Sequence, residues 1–279
     1  MQAENRKMKQ QVRLVVCLLF LYICVCLSAC GGKNTESTAK GQLDIWFFAC
    51  SDDADSILLK TNDTSVIIDT GLEQDSDALI RKLKEQNVTE IALLILTHPD
   101  KDHIGGAGKL LDSFSVEQII QTNCVKGSEL QKKLNSRLEK ETVSIPEKKE
   151  QFSFDGLQLT VYPPKEEEYE DSNNYSIAVL AEYEGKRFFF AGDAKKKRIG
   201  ELLTEDLPYV DVYKAAHHGR DNGKSDDLIE LLSPELAVVT AKAPEEKTAQ
   251  AFEKIGTTVY STYENDVHCI VTDGILDVE

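Results

Sequence analysis

The chain has 279 residues, 41% hydrophobic and 29% charged, enough to bury a substantial core without help from disulfides. Its formal net charge is −16; residues 1–29 hold four basic groups and one acidic group, so the remainder carries 28 basic against 47 acidic, or −19. A surface of that sign repels polyanions at long range, so stable nucleic-acid binding is not expected.

Arg6, Lys7, Lys9 and Arg13 form a basic region ahead of the apolar stretch Leu14–Leu27, the pattern of a secretory signal peptide. The segment Leu27-Ser28-Ala29-Cys30-Gly31-Gly32 resembles a bacterial lipobox, which implies cleavage before Cys30 and lipidation of its thiol. An uncleaved signal anchor is the alternative, although the stretch is short for a spanning helix. Either way the rest of the chain is expected outside the cytoplasm, held at the membrane surface. The division expected is a lipoprotein signal peptide over 1–29, a flexible tether with lipidated Cys30 over 30–42, and one domain over 43–279. Cys17, Cys24 and Cys26 fall in the signal, which leaves Cys50, Cys124 and Cys269, without CxxC spacing. One disulfide would fit, but isolated cysteines read as buried apolar residues rather than zinc ligands.

From Leu43 the texture changes. Leu43–Phe48, Ser56–Lys60 and Ser65–Asp69 are short apolar runs that suit strands, with a turn at Thr61-Asn62-Asp63. Ser76–Asn87 predicts a helix with Ser76 as N-cap, and Ile91–Leu96 a strand buried on both faces. A helix around Lys109–Leu111, a strand at Val116–Gln121, a helix at Glu129–Lys140 and a strand at Phe152–Tyr162 follow. Lys165–Asp171 reads as a solvated loop. Tyr175–Tyr183 and Arg187–Ala191 suit a hairpin, then Lys195–Glu205 a helix, Val210–Ala216 a strand, Asp226–Leu232 a helix and Leu236–Ala241 a strand. Glu246–Ile255 is helical, and Thr257–Tyr260, Val267–Thr272 and Ile275–Val278 close the chain as strands. The whole reads as one α/β domain of two similar halves, each a sheet with helices on its outer face.

The chemistry concentrates at Thr97-His98-Pro99-Asp100-Lys101-Asp102-His103-Ile104-Gly105-Gly106, immediately after the buried strand. Two imidazoles and two carboxylates within six residues repel and desolvate one another unless a cation compensates. Nitrogen and oxygen donors of this kind suit zinc, manganese or iron. Pro99 fixes the turn, and Gly105-Gly106 permits close backbone approach.

This run resembles the HxHxDH metal signature of the metallo-β-lactamase superfamily. Its HxDxDHxGG form is similar to the C-terminal hydrolase domain of ComEC-type competence proteins, with Asp100 in place of the second histidine. The resemblance continues through Asp55-Ser56-Ile57-Leu58-Leu59, Ile67-Ile68-Asp69-Thr70-Gly71, Asn173-Asn174-Tyr175-Ser176, Phe190-Ala191-Gly192-Asp193 and Ala216-His217-His218-Gly219. It implies a four-layer αββα metallo-β-lactamase sandwich and two divalent metal ions, Zn or Mn. His98, Asp100 and Asp193 would hold one ion, and Asp102, His103, Asp193 and His217 the other. Asp102 and Asn174 would be the catalytic residues, Asp102 orienting the water nucleophile and Asn174 standing where other branches supply a third histidine. Asp69, His218 and Arg220 are expected to line the site. Asp69 could equally cap a turn, Asn174 sit in one, and Arg220 be an exposed loop residue. On an extended segment His217 and His218 would face opposite ways, which makes one a ligand and leaves the choice open, with His217 preferred.

Arg220 replaces the serine usual after His-His-Gly, and a guanidinium there could hold a substrate phosphate or carboxylate. The function implied is a metal-dependent hydrolase acting on a phosphate ester or phosphodiester. A lactone, thioester or β-lactam hydrolase and a non-catalytic binding lipoprotein are the alternatives. The channel fused to this domain in competence proteins has no counterpart in these residues, so a DNA-uptake role is not expected.

Overall fold

The computed structural model describes residues 41–279. The segment expected to be a signal peptide, Cys30 and the expected tether up to residue 40 lie outside the described residues. The first sheet begins with β1 (Gln42–Phe47), β2 (Ser56–Lys60) and β3 (Ser65–Thr70), then α1 (Ser76–Glu85) and β4 (Glu90–Leu96). Two short helices, α2 (Lys101–Ile104) and α3 (Ala107–Ser113), lead into β5 (Ser115–Gln121), α4 (Glu129–Leu138) and β6 (Val143–Ser144). The second sheet is built from β7 (Glu150–Phe154), β8 (Leu157–Tyr162), β9 (Ala178–Tyr183), β10 (Lys186–Phe190), β11 (Val212–Lys214), β12 (Leu236–Val239) and β13 (Thr258–Ser261). Helices α5 (Lys196–Leu202), α6 (Ser225–Leu232) and α7 (Glu246–Ile255) connect its last four strands. The closing hairpin, β14 (Val267–Thr272) and β15 (Ile275–Val278), returns to the first sheet, where β14 pairs antiparallel with β1.

The strand orders are β15-β14-β1-β2-β3-β4-β5-β6 and β13-β12-β11-β10-β9-β8-β7. The alternation of side chains along each strand sorts the apolar residues into three layers of core. Leu93 and Ile95 of β4 and Phe188 and Phe190 of β10 enter the core shared by the sheets. Leu94 and Leu96 turn instead to α1 and α3, where they meet Leu79, Leu83 and Leu110. Phe189 turns to α5, α6 and α7, against Ile199, Ile229 and Phe252. The result is the αββα sandwich the sequence implies.

The consequence for function lies in the parallel pairs. β3–β4, β4–β5, β10–β11 and β11–β12 are parallel, so the C-terminal ends of β3, β4, β10, β11 and β12 all reach one edge of the sandwich. Loops at the carboxyl ends of parallel strands are where α/β proteins place their ligands.

Several sequence expectations need correction. Phe152–Tyr162 is a hairpin rather than one strand, because Asp155 and Gly156 turn the chain at φ 47° and 88°. Ser76 does not cap α1: Asp75 is the N-cap, and the Ser76 hydroxyl donates to Glu73 O at 2.6 Å. Tyr175 belongs to a 3-10 turn, Ser172–Tyr175, ahead of β9. The strand expected over Val210–Ala216 holds only Val212–Lys214, and β1 begins at Gln42, one residue into the expected tether. Cys50, Cys124 and Cys269 are all free thiols, so no disulfide occurs among the described residues. His268 lies in β14, stacked on Trp46 at 3.7 Å and hydrogen-bonded to Asp44 at 2.8 Å. Among the described residues no helix is long and apolar enough to cross a membrane.

Candidate metal centre

Thr97 and His98 directly follow β4, and α2 carries Asp102 and His103. Gly105 and Gly106 let this turn sit on the backbone beyond β3. A Cβ on Gly106 would come 2.3 Å from Thr70 O, and Gly106 N donates to Gly71 O at 3.2 Å. Asp69, near the end of β3 with φ 60°, accepts at Oδ1 from Thr97 N (2.8 Å) and at Oδ2 from Thr97 Oγ1 (2.7 Å) and His103 Nδ1 (2.7 Å). With Nδ1 held by a carboxylate, His103 must present Nε2 to the site.

From the second sheet, β10 leads through Gly192 to Asp193, whose N–H donates to Ser176 Oγ at 3.0 Å. Beyond β11 the chain leaves extended geometry: His217, His218 and Gly219 have φ 51°, 59° and 91°. Two consecutive left-handed histidines are costly, and such strain persists where surrounding contacts compel it. Here His217 N donates to Gly192 O at 3.0 Å and Ala216 N to Tyr213 Oη at 2.9 Å. The expected opposition of the two histidines across an extended strand therefore does not occur.

Asp193 is the centre of the constellation. Its Oδ1 is 3.3 Å from His103 Nε2, and its Oδ2 is 3.2 Å from His218 Nε2, 3.8 Å from His98 Nε2 and 3.9 Å from His217 Nε2. Asp102 Oδ2 completes a group at 3.6 Å from His218 Nε2 and 4.0 Å from His103 Nε2. A cation held by bonds of about 2.1 Å requires donor atoms within roughly 4.2 Å of one another, and all six of these distances satisfy that. His98 Nε2, His103 Nε2, His218 Nε2, Asp193 Oδ1 and Asp100 Oδ1 are all buried without a hydrogen-bond partner. Five orphaned polar atoms at one edge of the sandwich are costly unless something binds them, and their chemistry fits a divalent ion.

The electrostatics agree. Burial opposes ionisation of Asp193, yet the neighbouring His103 and His218 hold its carboxyl well below the usual range. Burial likewise opposes protonation of His218, but Asp193 and Asp55 outweigh it and raise the imidazole to about 10. His103 is raised well above its ordinary value against burial, by Asp193 and Asp69. Burial, aided by the charge on His103, pushes His98 down to about 4. In the metal-free protein protons on His103 and His218 thus supply the positive charge that a cation would replace.

His98, Asp102, His103 and Asp193 therefore come together as expected from sequence. His218, expected only to line the site, points Nε2 into the group, while His217, the preferred ligand, lies at its rim. His217 Nδ1 donates to Asn222 Oδ1 at 2.8 Å, and its Nε2 accepts from Arg220 Nη1 at 3.0 Å and faces Asn173 Nδ2 at 3.3 Å. Asp100 gives Oδ2 to Lys126 Nζ at 2.8 Å and keeps the orphaned Oδ1. Asn174 spends Oδ1 on the backbone N–H of Arg198 in α5, at 3.1 Å, so it supports a helix start. Arg220 also reaches Asp53 Oδ2 at 3.4 Å.

Sequence reasoning missed Lys214, Thr240, Asn173, Asn222 and the buried Arg198. Lys214 alone had a legible signal: a cation flanked by Val212, Tyr213, Ala215 and Ala216 must find a carboxylate when that strand is buried. Its partner is Asp55.

The family model of the metallo-beta-lactamase superfamily matches residues 52–241. The chain is similar to ComE operon protein 3 of Bacillus subtilis, 27% identical over 90% of this chain and 34% of that protein. It is similar to Recombination protein 2 of Haemophilus influenzae, 22% identical over 66% of this chain and 22% of that protein. It spans about a third and about a fifth of these ComEC-type relatives. The metallo-beta-lactamase fold protein YhfI from Bacillus subtilis superposes with a TM-score of 0.55 at 11% identity, over 85% of this chain and all of that one.

Proposed function

The chain belongs to the metallo-β-lactamase superfamily as a metal-dependent hydrolase, and on that premise we propose that it cleaves a phosphate ester or phosphodiester at the outer face of the membrane. The observation that carries the proposal is the convergence of orphaned donors on Asp193 with a guanidinium at its rim. His98 and Asp100 with Asp193 would hold one ion, and Asp102, His103 and His218 with Asp193 the other. Bound divalent ions supply Lewis-acid polarisation and an acidified water.

The protein's own groups do the rest. Burial opposes ionisation of Asp102, but the adjoining His218 brings its carboxyl to about 2, so it is anionic at neutral pH. Its side chain is the most exposed of the four clustered donors, at 25%, which suits it to orient an incoming water. Arg220 and Asn173 meet at His217 Nε2 beside Asp193, where their N–H donors suit a non-bridging phosphoryl oxygen. Lipidation at Cys30 would anchor the domain outside the cytoplasm.

Two experiments test the proposal. Purified Cys30→Ala protein, loaded with Zn²⁺ or Mn²⁺, is expected to hydrolyse bis-p-nitrophenyl phosphate. Turnover of nitrocefin alone would overturn the phosphoester choice, and a protein that takes up neither ion and gains no thermal stability would favour a non-catalytic lipoprotein. In cells, the same substitution is expected to move the protein out of the membrane fraction.

A further inference from the structure

We propose that Asp55, Thr240 and Lys214 form a positioning device that sets the orientation and tautomer of His218. The inference rests on reading the centre as a cation site and not on the choice of substrate. Asp55 precedes β2 in the first sheet, whereas Lys214 ends β11 and Thr240 follows β12 in the second. All three are buried, as is His218. Lys214 Nζ donates to Asp55 Oδ2, and Thr240 Oγ1 donates to Asp55 Oδ1 at 2.6 Å. A hydroxyl has one proton, so the Thr240 oxygen can only accept from His218 Nδ1, which lies 2.9 Å away. Nδ1 therefore carries hydrogen, shared with Asp55 Oδ1 at 3.2 Å, and Nε2 is the nitrogen left to face Asp193 and Asp102.

The arrangement parallels the one around His103, where Thr97 and the imidazole Nδ1 both bond Asp69. The difference is Lys214. Asp55 Oδ2 lies 3.9 Å from His103 Nδ1, within a pocket already crowded by Asp69, Asp102 and Asp193. A further buried carboxylate there requires its own fixed cation, and Lys214 supplies one that a metal ion cannot displace. Because the pair joins opposite sheets, it also fixes the loop bearing His218 relative to the strand end bearing His103.

A purely structural ion pair would hold the sheets together without influencing ion binding, so the test separates the two. Thr240→Val and Thr240→Ser are compared with wild type and with the Asp55→Asn/Lys214→Met double variant, which removes both buried charges together. The readouts are Zn²⁺ affinity by chelator competition, the visible spectrum of the Co²⁺-loaded protein, and metal-free melting temperature. Thr240→Val is expected to melt near wild type, to bind Zn²⁺ about 10- to 100-fold more weakly and to show shifted Co²⁺ bands. Thr240→Ser is expected to restore affinity and bands, and the double variant to reproduce the valine loss. Wild-type affinity and bands in both Thr240→Val and the double variant would overturn the inference while leaving the cation site standing. A wild-type protein that binds neither ion would overturn both.

Discussion

Asp69 Oδ2 lies 2.7 Å from His103 Nδ1, and Asp69 adopts a left-handed φ of 60° to place it there. The carboxylate accepts from both Thr97 donors as well, so one side chain ties the end of β3 to the end of β4 and aims an imidazole from α2. Its job is orientation: with Nδ1 held, His103 turns Nε2 toward Asp193 and Asp102.

Replacing Asp69 with alanine should therefore cost metal before it costs anything else at the centre. Loss of a histidine's carboxylate partner typically weakens a metal about 10- to 100-fold. Elemental analysis after dialysis against graded chelator should show Asp69→Ala losing its ion at lower chelator than wild type, and His103→Ala retaining still less. Equal retention by Asp69→Ala and wild type would contradict the assigned role.

Ion affinity should rise with pH. Unfolded histidine titrates near 6.5, whereas His218 in the metal-free fold is raised to about 10 by Asp193 and Asp55 against burial. A raised value means that its stabilising proton is fully present below about 6.5 and is lost as pH climbs through 10. An ion at Nε2 must displace that proton, so calorimetric affinity should increase about tenfold per pH unit for each proton released, between pH 6.5 and 9. His98, pushed down to about 4 by burial and His103, is already neutral and contributes no such slope.

Arg220→Ala should raise KM for bis-p-nitrophenyl phosphate more than it lowers kcat. A hydrogen bond to a charged group contributes about 1.5–3 kcal/mol, which corresponds to roughly ten- to hundredfold in KM. Unchanged kinetics would show that Arg220 is a loop residue serving only Asp53 and His217.

Arg198→Met should destabilise the fold. The guanidinium is fully buried and donates to Ser176 O at 2.8 Å, Tyr162 O at 2.6 Å and Glu201 Oε2 at 2.8 Å. Breaking one partner of a buried charge pair costs about 3–5 kcal/mol, readable as a lower urea midpoint. Because Ser176 Oγ receives the Asp193 N–H, metal affinity should fall as well.

Much of this was legible in one dimension. The continuous apolar run Ile91–Leu96 identified a strand buried on both faces, and the density of histidine and aspartate after it required a compensating cation. Ser56–Lys60, Glu246–Ile255, Val267–Thr272 and Ile275–Val278 were readable to the residue, because their periodicity and turn residues agree with their final burial. The Asp155-Gly156 turn is hidden in one dimension because apolar residues continue on both sides of it.

Local sequence determined which chemistry this protein carries: imidazoles and carboxylates at strand ends, on an acidic chain headed by a signal-like segment. Which histidine joins Asp193 was decided by tertiary structure alone, because His217 and His218 take left-handed conformations that no strand pattern encodes. The same holds for Lys214 and Asp55, 159 residues apart and meeting only when the two sheets close. Composition reveals which charges exist, whereas the packing of distant segments dictates which of them are buried together and must be neutralised.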